Sequence, residues 1–239
     1  MVENHDCGDS SCPLPGVSAV DAAESAAVAA KGTVLHYIYD PMCGWCYGAA
    51  PLLQAAREVE GLTIELHGGG MMTGSNRKQV SAQLRNYVMQ HDQRIAAMTG
   101  QPFGDDYFNG LLLDTAAIFD SAPPTTAVLA ADAVAGQGLA MLARIQAAHY
   151  VQGLRVADAA VLHALALQIG LDPVLFDSKF AELDGAATQA HIAASRTLLA
   201  RVGGQGFPTF ALQRGAHIEV LDAGRFFGQV QAWKAALSA

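Results

Sequence analysis

The stretch Val34–Leu53, VLHYIYDPMCGWCYGAAPLL, constrains this chain more than any other. Val34 to Tyr39 is a β-branched and aromatic run with the character of a buried strand, and Asp40-Pro41 breaks it. From Cys46 onward Tyr47, Ala49, Ala50, Leu52, Ala55 and Ala56 carry helical spacing, with Pro51 marking a place for a kink. The pair in Cys43-Gly44-Trp45-Cys46 therefore falls where a strand hands over to a helix N-terminus. Unpaired backbone N–H groups and the positive end of the helix dipole favour a thiolate on the first cysteine there. Two intervening residues put Cys46 about one turn further on, within reach of a mixed disulfide at Cys43 but deeper in the helix. Cys43 is the expected nucleophile and Cys46 the expected resolving thiol.

Zinc ribbons and haem attachment sites also use CxxC, and the absence of a His after Cys46 removes the haem reading. A second signal lies at Gly204-Gln205-Gly206-Phe207-Pro208-Thr209-Phe210, followed by a hairpin pattern with Arg214-Gly215 at its turn. DPMCGWCY and GFPTF, separated by a long helical stretch, resemble the thioredoxin superfamily, and within it the DsbA-like branch near its FrnE-type members and predicted protein disulfide isomerases. The resemblance implies an α/β chain, a thioredoxin fold with an inserted all-helical domain. It also implies that Pro208 follows a cis peptide bond and holds a backbone edge beside the dithiol, against which an extended substrate pairs. Phe207 occupies the substrate-contacting position where many relatives carry a small or β-branched residue. Trp45 is either a substrate contact or a packing lid. Relatives often bury an acid below the dithiol; here His36 stands nearest to that place in the strand. Asp40 is the other candidate for proton relay, against a simpler role in shaping the Asp-Pro turn.

The activity implied is thiol–disulfide oxidoreduction or isomerisation on protein or peptide thiols through the CGWC dithiol. It needs no cofactor beyond that dithiol, with glutathione the candidate reductant, and no metal ligand set is assigned. Two alternatives stand beside it. One is a glutathione-dependent kappa-type transferase or isomerase, a family that characteristically has Ser where Cys43 stands. The other is a copper- or zinc-binding thiol protein using His5, Cys7 and Cys12 with the dithiol.

The whole chain is compatible with these expectations. Its 239 residues are 51% apolar and 15% charged, a globular composition long enough for a sizeable core. A net charge of −8 without a dense Lys/Arg cluster argues against nucleic acid or an anionic membrane surface as partner. No apolar run approaches the roughly 18 residues of a membrane span. Four cysteines in two close pairs are too few to staple a chain of this size. The opening MVENHDCGDSSCPLPG lacks the basic start and apolar stretch of a secretory signal, so a full-length chain is expected in the cytoplasm, and a chain with its leader removed in the periplasm.

Residues 1–31 read as a polar, alanine-rich tail with a short helix over Ala19–Ala30 capped by Ser18. Residues 32–72 and 186–239 form the expected thioredoxin-like domain, and 73–185 the inserted helical domain. Leu62–His67 is the second strand, and Ser75 is the expected cap of a helix running to Thr99 with Val80, Leu84, Tyr87, Val88, Ile95 and Met98 on its apolar side. Gln101–Pro124 is irregular and either borders the substrate groove or packs as a surface loop. Helices follow over Thr125–Ala135, Ala140–Gln152, Asp158–Ile169, Pro173–Leu183 and Ala187–Val202. The chain closes with strands Pro208–Gln213 and Ala216–Leu221 and a helix Arg225–Leu237. His149 and His163 are expected as structural or surface histidines.

Overall fold

A computed structural model describes residues 32–238. The expectations for the tail, including the Ala19–Ala30 helix, His5, Cys7 and Cys12, fall outside the described residues.

The apolar run at the start forms strand β1 (Thr33–Tyr39), and the chain then turns at Asp40–Met42 into helix α1 (Gly44–Gly48). The helix expected after the dithiol is divided. Ala49 caps a second segment, α2 (Ala50–Ala56), because Pro51 offers no N–H to continue the first helix and is well suited to the opening turn of the next. Strand β2 (Leu62–Gly68) returns parallel to β1, with His36 opposite Glu65 and Ile38 opposite His67.

The excursion that follows opens differently from expectation. Lys78–Gln79, here β3, pairs with β4 (Ile118–Phe119), and helix α3 (Ala82–Thr99) starts only after them. Its cap is Ser81, whose Oγ accepts the Leu84 N–H at 3.1 Å, so the assignment to Ser75 is corrected. Its apolar stripe is also narrower than the spacing suggested: Ile95 is buried, while Tyr87 is 65% exposed with its ring against His91. Helices α4 (Ala122–Ala135), α5 (Gly138–Tyr150), α6 (Ala159–Gln168) and α7 (Pro173–Leu183) pack on one another, with α4 against α5, α6 and α7. Asp172 caps α7 by accepting the Leu175 N–H, and Pro173 fills its first turn. Among the described residues, no helix is long and apolar enough to cross a membrane.

Helix α8 (Ala186–Arg201) leads back onto β2, and strands β5 (Thr209–Arg214) and β6 (His217–Leu221) complete a four-stranded sheet of order β2-β1-β5-β6. β5 runs antiparallel to both β1 and β6. The expected closing helix is interrupted at Gly228, whose φ of +74° ends a 3-10 turn at Ala223–Phe226, and α9 spans only Val230–Ser238. From α9 the fully buried Trp233 donates its Nε1–H to the Leu52 carbonyl at 3.0 Å and lays its ring against Phe210. Burying that indole contributes on the order of 3 kcal/mol and ties α9 to α2, the helix that follows the dithiol helix. Strand alternation sends Leu35, Tyr37 and Tyr39 to this face of the sheet and His36 and Ile38 to the other.

Candidate active site

Cys43 stands at the N-cap of α1, in extended backbone, with its N–H donated to the Asp40 carbonyl at 3.2 Å and its own carbonyl accepting the Tyr47 N–H. Cys43 retains 6% exposure, whereas Cys46, one turn on, has none. Both are free thiols. The Cys43 Sγ lies 3.5 Å from the Phe207 carbonyl, 164 residues away, and the Phe207–Pro208 peptide bond is cis. The two motifs distant in sequence thus meet in space. Cys46 Sγ accepts the Asp40 N–H at 3.4 Å, and Tyr37 Oη donates to the Cys46 carbonyl. Burial, and next the hydrogen bond with Cys43, push the Cys46 thiol well above its ordinary range, so it rests protonated.

Asp40 is fully buried below the turn. Its carboxylate accepts the Met42 N–H at 2.9 Å, the Ser121 hydroxyl at 2.9 Å and the Met71 N–H, joining the dithiol turn, the exit of β2 and the start of α4. Burial pushes its carboxyl up, while those bonds and the Arg196 guanidinium pull it back down. Arg196, from α8, also donates to the carbonyls of Gly69 and Gly70 and so fixes the same segment. His36 is not brought to the dithiol: its ring lies on the opposite face of the sheet, against His67 and Gln213. Strand alternation explains this, because Tyr37 is the residue that takes the dithiol-facing position.

Two cavities flank Trp45, which is half-buried and stacks on Phe227. One, of about 450 Å³, is lined by Trp45, Gln205, Phe207, Pro208 and Asp222. The other, of about 240 Å³, is where Cys43 opens, beside Met42, Met71, Tyr107, Phe119 and Tyr150. Tyr107 and Phe119 come from the irregular segment after α3, so that segment borders the site. Tyr47 is buried and donates its hydroxyl to the Pro102 carbonyl at 2.7 Å, tying α1 to the same segment.

Further residues complete the site, and of these Asp92 was not singled out in the sequence. A Cβ on Gly69 would stand 2.2 Å from the Phe207 ring, so this glycine lets the aromatic lie across the end of β2. A Cβ on Gly44 would stand 2.6 Å from Asp92 Oδ1, which makes room for α3 against the dithiol helix. His149 is buried in the wall of the smaller cavity and, with its affinity for a proton lowered by burial to about 3, is neutral. Asp92 lies in the same wall and accepts the Tyr107 hydroxyl at 2.8 Å. Its one sequence signal is position: it sits four residues after Val88 and three before Ile95, an acid inside an apolar stripe.

Burial pushes the Asp92 carboxyl from 3.8 up to about 6, with the Tyr107 bond opposing. Across that window the folded protein keeps a proton that the unfolded chain releases, so stability falls as pH rises from about 4 to about 6. Asp92→Asn removes this loss. The variant is expected to exceed the parent in unfolding free energy at pH 7.5 by on the order of 2 kcal/mol, and to converge with it toward pH 4. Urea titrations at both pH values check it, and an equal offset at the two would contradict the assignment.

A dithiol split between one accessible and one buried sulfur, set against a cis-proline strand on a thioredoxin sheet, defines a thiol–disulfide oxidoreductase. A family model for the DSBA-like thioredoxin domain matches residues 34–232, and the chain belongs to that family. It is 58% identical to the cytosolic disulfide reductase DsbM from Pseudomonas aeruginosa over 85% of this chain and 96% of that one, with a TM-score of 0.81. A structure of that reductase with GSH gives 57% identity, the same coverage of 85% and 96%, and a TM-score of 0.79. A candidate protein disulfide isomerase from Nitrosomonas europaea is 27% identical over 86% and 96% of the two chains, with a TM-score of 0.71. No match was found among curated protein sequences. These likenesses favour disulfide exchange over both the kappa-type and the metal-binding alternatives.

Proposed function

We propose that the chain reduces disulfides of proteins or peptides, drawing electrons from glutathione, in the cytosol. The observation that carries this is the inequality of the two sulfurs: Cys43 opens to a cavity beside the Phe207 carbonyl, while Cys46 is sealed beneath it and held as a thiol. The Cys43 thiolate attacks one sulfur of the substrate disulfide and expels the other as a thiolate. Cys46 then gives up its proton and attacks Cys43, which releases the second substrate thiol and leaves the Cys43–Cys46 disulfide. Two glutathione thiols return that disulfide to the dithiol and leave as one oxidised glutathione, so two electrons pass per cycle. Phe207, Pro208 and Trp45 form the walls that hold the substrate chain, and the helical residues 73–185 close the groove from the other side. Asp40 serves by fixing the backbone around the dithiol, with its N–H on the Cys46 sulfur. The likeness to a cytosolic disulfide reductase whose structure is known with GSH supports the direction, the reductant and the compartment.

Turnover of a peptide disulfide with reduced glutathione as the sole electron source tests this reading. Catalytic formation of oxidised glutathione is expected. An enzyme that exchanges disulfides when supplied with dithiothreitol but takes no electrons from glutathione would sink it.

A further inference from the structure

The face of the sheet turned away from the dithiol carries a second cluster of chemistry-bearing side chains. His36 on β1 is in register with Glu65 on the parallel strand β2, and alternation puts His67 on the same side. Their polar atoms converge: His36 Nδ1 is 3.0 Å from His67 Nε2 and 3.3 Å from Glu65 Oε2, and the last two are 3.8 Å apart. Donor atoms about 2.0–2.2 Å from a tetrahedral zinc ion lie roughly 3.3–3.5 Å from one another, so this triangle has the dimensions of one face of such a site.

Hydrogen bonding sets the ligand tautomer. The Gln213 Nε2 donates to the Gly215 carbonyl at 2.9 Å, which turns its Oε1 toward His36 Nε2 at 2.8 Å. That oxygen can only accept, so His36 carries its proton on Nε2 and presents the bare lone pair of Nδ1 to the cluster. A histidine whose far nitrogen donates to a fixed oxygen is the usual outer-shell arrangement of a metal ligand. The adjacent His191 is committed elsewhere, its Nε2 accepting the Gly68 N–H at 3.0 Å. Side-chain exposure rises from 8% at His36 through 19% at His67 to 36% at Glu65, which leaves an approach from solvent on the Glu65 side.

We propose that His36, Glu65 and His67 bind one divalent transition-metal ion of the zinc class, with water in the fourth position. Two imidazoles and one carboxylate suit zinc better than the harder Mg²⁺ or Ca²⁺, which take oxygen ligands. The ion would clamp β1 to the edge strand β2, seven residues before Cys43, without touching either active-site sulfur. No cysteine takes part, so the site is separable from any zinc held by thiolates.

The test uses the full chain with Cys7, Cys12, Cys43 and Cys46 replaced by serine, titrated with Zn²⁺ and then with Co²⁺ as a spectroscopic stand-in. One equivalent of Zn²⁺ retained through gel filtration is expected, with Co²⁺ giving tetrahedral visible bands. His67→Gln in the same background should lose the retained metal while its circular dichroism is unchanged. Gln213→Leu keeps all three ligands but frees the His36 tautomer, and should weaken binding about tenfold. A cysteine-free protein that retains no Zn²⁺ would mean that the three groups share only a proton, and would overturn the proposal. Retention unaffected by His67→Gln would overturn it equally.

Discussion

Cys43→Ser is expected to abolish disulfide exchange, lowering turnover of a peptide disulfide by on the order of 10³-fold or more, because a serine hydroxyl at the same place has neither the acidity nor the nucleophilicity of the thiol. Cys46→Ala is expected to behave differently. The accessible Cys43 still attacks, but nothing beneath it displaces the substrate, so the variant accumulates mixed disulfides that non-reducing electrophoresis and mass spectrometry detect. The asymmetry follows from burial: Cys46 has no exposed surface and cannot reach a bulky substrate before Cys43 has presented it. Equal residual activity in the two variants, or substrate trapped on Cys46, would remove the assignment of roles.

The second large effect is on stability. Asp40→Ala leaves the N–H groups of Met42 and Met71 and the Ser121 hydroxyl without their acceptor in a buried place. Each orphaned donor costs about 1–3 kcal/mol, so a total loss of about 3–5 kcal/mol is expected after partial relaxation. That is a large share of the 5–15 kcal/mol by which domains are ordinarily stable. A urea titration should show the midpoint falling with an unchanged slope. Because Met42 precedes Cys43 and Ser121 opens α4, the same change should loosen the dithiol turn against the helical excursion. A variant as stable as the parent would mean that water satisfies these groups and that Asp40 does not organise the site.

Much of this arrangement was legible in local chemistry. The run Val34–Tyr39 is β-branched and aromatic and ends at Asp-Pro, Gly100 and Gly170 stop their helices, and Asp172-Pro173 opens one, so those boundaries needed no tertiary information. What escaped was set by contacts between distant segments. Lys78–Gln79 is a strand only because Ile118–Phe119 lies beside it, and that pairing moved the helix cap from Ser75 to Ser81. Pro51 offered a kink, and the chain used it as a full break. The assignment of His36 near the dithiol failed because distance along a strand says nothing of which face a side chain takes until one contact anchors the register. Here Tyr37, reaching the Cys46 carbonyl, is that contact. Asp92 was hidden for the converse reason: an acid in an apolar stripe looks like surface until Gly44 lets the dithiol helix close over it. The convergence of His36, Glu65 and His67 depends on strand pairing, which no spacing in the sequence displays.

Equilibrating the full chain across a series of glutathione redox buffers, and locating disulfides by mass spectrometry at each ratio, measures the Cys43–Cys46 couple itself. A single two-electron transition confined to those two sulfurs, with a midpoint in the range of roughly −200 to −270 mV, is the result expected of a glutathione-linked reductase. Failure of the pair to close at any ratio, or a midpoint near the roughly −120 mV of a strong oxidant, would contradict it.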